Sequence, residues 1–220
     1  MKQEIVVFDV DNTILKGQSQ KLFLHYLRSR GILGWYPYLK MVYWFFIYRL
    51  EIANNPDKIM SYGISFANGK TVVEIDSLVS DFFEKELKSI FYKDAIKLVE
   101  RHLKEGRVVI LVSSSISFLI KKIAQFLKVK HYLCTKAETV NGRYTGRLDE
   151  GLVYGKRKAE LVRDFAKNNN LSLENSWSYG DHLSDKYVLD LAAHAFIVNP
   201  DKKILREASK RGWLPVYFNE

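Results

Sequence analysis

Cysteine is nearly absent. Cys134 is the single thiol in 220 residues, which excludes an internal disulfide framework and any zinc or iron–sulfur centre built from several cysteines. Beside Tyr132 and Leu133 it reads as a small buried hydrophobe, and a lone thiol suits a reducing compartment. Long uncharged apolar runs are missing too. The most apolar stretch, residues 31–50, is interrupted by Lys40 and Arg49 and falls short of the ~18 uncharged residues of a spanning helix. The first residues pass from MKQE straight into IVVF, without an h-region or a small-residue cleavage site, so no secretory signal is expected. His25, His102, His131 and His194 stand singly, without metal-ligand spacing. There is no internal repeat and no low-complexity tract.

Hydrophobic residues make up 47% of the chain and charged residues 27%, a balance that excludes intrinsic disorder. Lys and Arg number 34 against 25 Asp and Glu, a net charge of +9. The cations are scattered and form no long basic block, so the charge reads as a basic solvated surface; no nucleic-acid partner is expected. The length fits one large domain or a core with a smaller insert.

Short apolar, β-branched runs recur at 5–8, 108–112, 132–134, 177–179, 195–198 and 216–218. Continuous rather than alternating, they predict strands buried on both faces. Helical patterns over 94–103, 116–127, 158–167, 185–193 and 202–211 lie between them. This alternation predicts an α/β fold, a doubly wound, Rossmann-like parallel sheet covered by helices. Residues 15–90 break the rhythm, with helical patterns and no convincing strand. The expectation is a core of residues 1–14 and 91–220 carrying a helical insert, 15–90. Asn141-Gly142 predicts a tight hairpin.

Ligands of open α/β sheets bind outside the carboxyl ends of the strands. Asp9, Asp11 and Thr13 follow the first predicted strand, Ser113 and Ser114 the second, and Asp181 and Asp185 the fourth, while Lys158 stands at a helix start. Carboxylates gathered this way repel one another unless a cation sits among them. Oxygen donors without neighbouring His or Cys favour a hard ion such as Mg²⁺. A lysine and a hydroxyl then suit a phosphate, the layout of phosphoryl transfer.

These residues resemble a known family. Asp9-Val10-Asp11-Asn12-Thr13 matches the DxDxT signature of the haloacid dehalogenase-like phosphatases, and Gly180-Asp181-His182-Leu183-Ser184-Asp185 matches GDxxxD. Ser113 at a strand end and Lys158 at a helix start stand between them in the family's order. The insert is similar to the small helical cap of the branch containing phosphoserine phosphatase. The resemblance implies a Mg²⁺-dependent phosphomonoesterase working through an aspartyl-phosphate. Asp9 is then the nucleophile, Asp11 the acid and base, and Thr13 a shaper of the loop. Ser113 and the N–H of Ser114 hold phosphate oxygens, with Ser115 a rival contact. Lys158 neutralises charge, with Lys156 and Arg157 as rivals. Asp9, the carbonyl of Asp11, Asp181 and Asp185 hold the metal, the last directly or through water. His182 is an alternative acid; its bland reading is a surface loop residue.

Gln18 stands where phosphoserine phosphatase carries a substrate-facing glutamate, and the insert has no clear match for that enzyme's substrate-binding arginine. Phosphoserine is therefore an alternative to another small phosphorylated metabolite or a lipid phosphate. Eight aromatics fall within residues 35–48, flanked by Arg28, Arg30, Lys40 and Arg49. They read first as packing of the insert's own core, and second as a peripheral membrane contact or a dimer contact. The expected location is cytoplasmic, with the inner face of a membrane as the peripheral alternative. Two rival classes stand: a phospho-aspartate receiver, opposed by the long insert after strand one, and a non-catalytic lipid- or protein-binding module.

Overall fold

The computed structural model describes residues 3–49 and 56–219, without the side chains of residues 45–49, 56 and 58. Its centre is strand β1 (Gln3–Phe8). Every residue of its apolar run is buried: Val6 and Phe8 enter one core and Ile5 and Val7 the other. A strand covered on both faces accounts for an unbroken apolar run where a half-exposed strand would alternate. Strands β2 (Val108–Ile116) and β3 (His131–Thr135) lie on one side of β1. Beyond a two-stranded hairpin, β4 (Ala137–Val140) and β5 (Arg143–Leu148), come β6 (Leu171–Gly180), β7 (His194–Val198) and β8 (Leu214–Val216). The main sheet runs β3-β2-β1-β6-β7-β8, parallel at each pairing. With helices on both faces, this is the Rossmann-like α/β sheet that the alternation predicts.

Among the described residues, helices α1 (Ser19–Ser29), α2 (Trp35–Arg49), α3 (Pro56–Ile64) and α4 (Val72–Lys85) follow β1. The last starts on a reciprocal capping box between Thr71 and Glu74. Phe23 and Leu27 of α1 and Ile75, Phe82 and Phe83 of α4 share one buried cluster with Val6, Phe8 and Leu111 of the sheet. Helices α5 (Lys93–Lys104) and α6 (Ser117–Phe126) join that face. Helix α7 (Lys156–Asn168) covers the opposite face with Ala159, Val162 and Ala166. The chain closes with α8 (Lys186–Leu189) and α9 (Lys202–Arg211).

Three local expectations need correction. The helix read over 185–193 is a short 3-10 turn at Leu183–Asp185 and a single turn at α8. Asp190 ends it: its carboxylate takes hydrogen bonds from Trp213 Nε1 at 3.0 Å and Arg211 at 2.8 Å. Strand β6 starts at Leu171, well before 177, and its pairing with β1 shifts register between Glu4 and Val6, so residues 173–176 form an irregularity in the strand. The final strand lies at 214–216 rather than 216–218. At the hairpin tip, Asn141 and Gly142 both hold positive φ, 51° and 74°, as a type I′ turn requires.

Candidate active site

The parallel sheet delivers Asp9 to the carboxyl end of its central strand. The Asp9 N–H donates to the Tyr179 carbonyl at 2.9 Å, which extends the β1–β6 ladder one step past Phe8. The chain then turns tightly: Ile14 and Leu15 both donate to the Val10 carbonyl, at 2.9 and 3.0 Å. Asn12 sits at φ 58°, a left-handed position that asparagine tolerates. The turn brings Thr13 back under the strand end, fully buried. Its hydroxyl lies 3.3 Å from Asp9 Oδ2 and 3.4 Å from Asp181 Oδ1.

From the other side, α7 inserts Lys158. This side chain is 4% exposed, and its Nζ lies 2.6 Å from Asp9 Oδ1 and 2.7 Å from Asp185 Oδ1. Lys156 and Arg157 instead face Glu160, at 4.0 and 3.6 Å. Asp185 reaches the cluster because Gly180 lacks a side chain: a Cβ there would fall 3.0 Å from Asp185 Cβ and 3.1 Å from Oδ2. The glycine that ends β6 is thus a requirement of close approach.

Asp9, Asp181 and Asp185 each offer an oxygen within 4.8 Å of the others. Burial pushes the Asp9 carboxyl up to about 7 against the pull of Lys158, and Asp185 adds to the rise. Burial, then Asp9 and Asp185, hold Asp181 well above the usual carboxylate range. Burial opposes the charge of Lys158, but Asp185 and Asp9 outweigh it and raise its pKa. One ammonium among this many carboxylates leaves negative charge uncompensated. An all-oxygen donor set with that excess suits a hard divalent cation.

Asp11 makes a separate connection. Its Oδ1 accepts from the main-chain N–H of Ser19, the first residue of α1, at 2.7 Å. Burial raises its pKa against this bond. The Ser19 hydroxyl meets that of Ser115 at 3.0 Å, with both residues fully buried, and Gln20 Nε2 donates to the Ser114 carbonyl at 3.2 Å. Ser113 is buried, and its hydroxyl accepts from Ser115 N–H at 3.0 Å. Helix α1 therefore ties the Asp11 carboxylate to the Ser113–Ser115 segment. Gln18 is exposed at the N-cap of α1 and makes no side-chain capping bond. His182 is exposed and caps the 3-10 turn, its Nδ1 accepting from Ser184 N–H at 3.2 Å. Sequence reasoning missed Ser19, Gln20 and Ser115 as a connected group; no motif marks a main-chain donor or a contact across 96 positions.

The model of haloacid dehalogenase-like hydrolases matches residues 6–190, the stretch that holds every residue of this cluster. A "probable phosphatase" of Mycobacterium tuberculosis is 30% identical over 214 residues, covering 96% of this chain and 74% of that one. Phosphoserine phosphatase SerB1 of the same organism is 30% identical over 213 residues, covering 94% and 68%. A solved structure of a protein with unknown function from Bordetella pertussis superposes with a TM-score of 0.89 at 22% identity, covering 98% and 99% of the two chains. A substrate-bound phosphoserine phosphatase superposes at 0.69 with 16% identity, covering 98% and 93%; at such identities the likeness is one of fold. The chain belongs to the haloacid dehalogenase-like hydrolase family. It is an enzyme, a phosphatase of that family.

Proposed function

We propose that the enzyme hydrolyses a phosphate monoester in two in-line displacements at Asp9. The observation that carries this reading is the buried Asp9–Lys158 contact of 2.6 Å at the end of the central strand, with Asp181 and Asp185 in the same oxygen cluster. A carboxylate oxygen of Asp9 attacks phosphorus, the phosphorus–oxygen bond to the substrate breaks, and Asp11 protonates the leaving alkoxide. Asp11 then takes a proton from water, whose oxygen attacks the aspartyl-phosphate and frees Asp9 and inorganic phosphate. Lys158 pulls Asp9 toward its ionised form against burial and offsets phosphate charge. Ser113 and the N–H of Ser114 hold phosphate oxygens, and Thr13 orients Asp9 and Asp181.

Mg²⁺ is the cofactor we assign, held by Asp9, Asp181, Asp185 and the carbonyl of Asp11; bound there it supplies charge neutralisation at the phosphoryl group. Residues 15–90 form the cap in this reading, over a core of 1–14 and 91–220, and the part of the cap next to the Asp9 cluster, where Ser19 and Gln20 of α1 meet Asp11 and Ser114, chooses the leaving group. The substrate is a small phosphorylated metabolite or a lipid phosphate. Phosphoserine is a second candidate, supported by the relative of that name; the neutral, exposed Gln18 offers an ammonium group little. Replacing Asp9 by Asn tests the reading: turnover should fall to background with Mg²⁺ present, and a variant that still turns over at the wild-type rate overturns it. A Mg²⁺ screen over phospho-amino acids, sugar phosphates and lipid phosphates identifies the substrate class.

A further inference from the structure

Helix α2 presents an inverted surface. Trp35, Tyr36, Leu39, Val42 and Tyr43 are 64%, 76%, 58%, 39% and 58% exposed. At 100° per residue these positions span an arc of about 120° on one side of the helix. Met41, on the opposite side, is buried in the core, and Tyr38 packs against it. Ile32, just ahead of the helix, is 40% exposed and adds to the same stretch of chain. The side turned to solvent is therefore apolar and aromatic, the reverse of an ordinary surface helix. The read that these aromatics pack the insert's own core holds for Tyr38 but not for this arc; Phe45, Phe46, Ile47 and Tyr48 lie outside the described side chains.

Charge along this stretch of the sequence is of one sign. From Asn12 to Leu50 the sequence holds no Asp or Glu, yet it holds Lys16, Lys21, Arg28, Arg30, Lys40 and Arg49. The Arg28 guanidinium lies 4.0 Å from the centre of the exposed Trp35 ring, and the Lys40 ammonium 4.4 Å from that of Tyr62. Arg30 meets Asp81 on α4 at 3.0 Å. Tryptophan and tyrosine beside arginine and lysine match the water–lipid boundary, where rings sit at headgroup depth and cations meet lipid phosphates. A second copy of the chain is a poorer occupant, because face-to-face contact would oppose two basic surfaces. No helix of the described residues is long and apolar enough to cross a membrane, so this contact is one of lying on a surface.

We infer that the exposed face of α2 docks the enzyme on the surface of an anionic lipid bilayer. The inference stands apart from the choice of substrate and does not need a lipid to be hydrolysed. It is tested by co-sedimentation of the full chain with vesicles of phosphatidylcholine alone and of phosphatidylcholine with an equal part of phosphatidylglycerol. The wild type should pellet with the anionic vesicles, bind the neutral ones far less, and lose binding in high salt. Tyr36→Glu with Leu39→Glu should weaken the anionic binding by at least about tenfold, while hydrolysis of a soluble aryl phosphate stays unchanged. Both positions are exposed, and glutamate in the first turns of a helix suits its dipole. Absence of binding to anionic vesicles overturns the inference, as does binding that the double variant leaves intact. A concentration-dependent dimer abolished by the same variant, without vesicle binding, assigns the face to self-association and overturns it equally.

Discussion

The main-chain N–H of Ser19 donates to Asp11 Oδ1 at 2.7 Å, so the first turn of α1 holds the carboxylate assigned to proton transfer. Ser19 is the first helical residue, and Gln18 before it is extended at φ −101°, ψ 113°. Proline is accepted at that helical position and after an extended residue, so Ser19→Pro deletes the donor with little backbone strain. Ser19→Ala is the control, since it removes only the hydroxyl bonded to Ser115. Relative to that control, the proline variant should lose about tenfold or more in kcat on alkyl phosphates. It should lose much less on nitrophenyl phosphate, whose leaving group needs no proton. Equal losses on both substrates would show that the bond serves only stability.

Lys158 compensates two carboxylates at once, at 2.6 and 2.7 Å. Lys158→Met leaves Asp9 and Asp185 buried without their cation, a change of about 3–5 kcal/mol in unfolding free energy. Turnover should fall to background. Added Mg²⁺ should restore part of the lost stability but none of the activity. Urea unfolding with and without the ion reads the first effect, and phosphate release reads the second.

Metal removal is expected to abolish turnover and lower thermal stability, because the cluster carries more negative charge than Lys158 offsets. Restoring Mg²⁺ should raise the unfolding midpoint in a concentration-dependent way. In Asp181→Asn that rise should need roughly ten times or more of the ion, given the loss of one carboxylate donor.

Away from the cluster, Arg107 bridges Glu4 at 2.9 Å and His102 Nδ1 at 3.0 Å, and His102 Nε2 meets the Tyr179 hydroxyl at 3.1 Å. Arginine only donates, so Nδ1 accepts and the ring proton rests on Nε2, which donates to Tyr179. Burial, aided by Arg107, lowers the His102 pKa from 6.5 to about 4. The unfolded chain therefore takes up this proton first as the medium acidifies. The stability due to neutral His102 is whole above about pH 6.5 and is lost as pH falls toward 4. Asp9 works in the opposite sense: its raised pKa stabilises the metal-free protein at low pH, and that contribution fades as pH rises through about 7. The histidine is isolated by difference. Unfolding free energies of wild type and His102→Gln should converge between pH 6.5 and 4.

Much of this arrangement is legible in the residues. The apolar runs around Ile5–Phe8 and Val108–Val112 are continuous because both faces of those strands are covered, and Asp9 directly follows the first. What stays hidden depends on partners distant in sequence. Residues 171–176 carry no apolar run, yet Leu171 pairs with Gln3 across a register shift. The helical pattern after Asp185 runs on past Asp190, but Arg211 and Trp213 capture that side chain. The role of Ser19 rests on a backbone donor, which every residue but proline possesses and which no residue type advertises. The aromatic stretch on α2 has a composition that fits interior and boundary equally; the packing of Met41 against the core determines which rings turn outward.

The sheet order β3-β2-β1-β6-β7-β8 has a consequence for biogenesis. Strand β1, made before the other strands of this sheet, becomes an inner one, and one of its two neighbours, β6, is made about 160 residues later at Leu171–Gly180. Until β6 is made, the nascent polypeptide holds Asp9 beside an open strand edge, and until α7 is made its ammonium neighbour is missing. The cluster of Asp9, Lys158, Asp181 and Asp185 is thus completed only once β6 and the turn after it are made, and a prematurely terminated product lacking β6 would have an unpaired edge prone to wrong association.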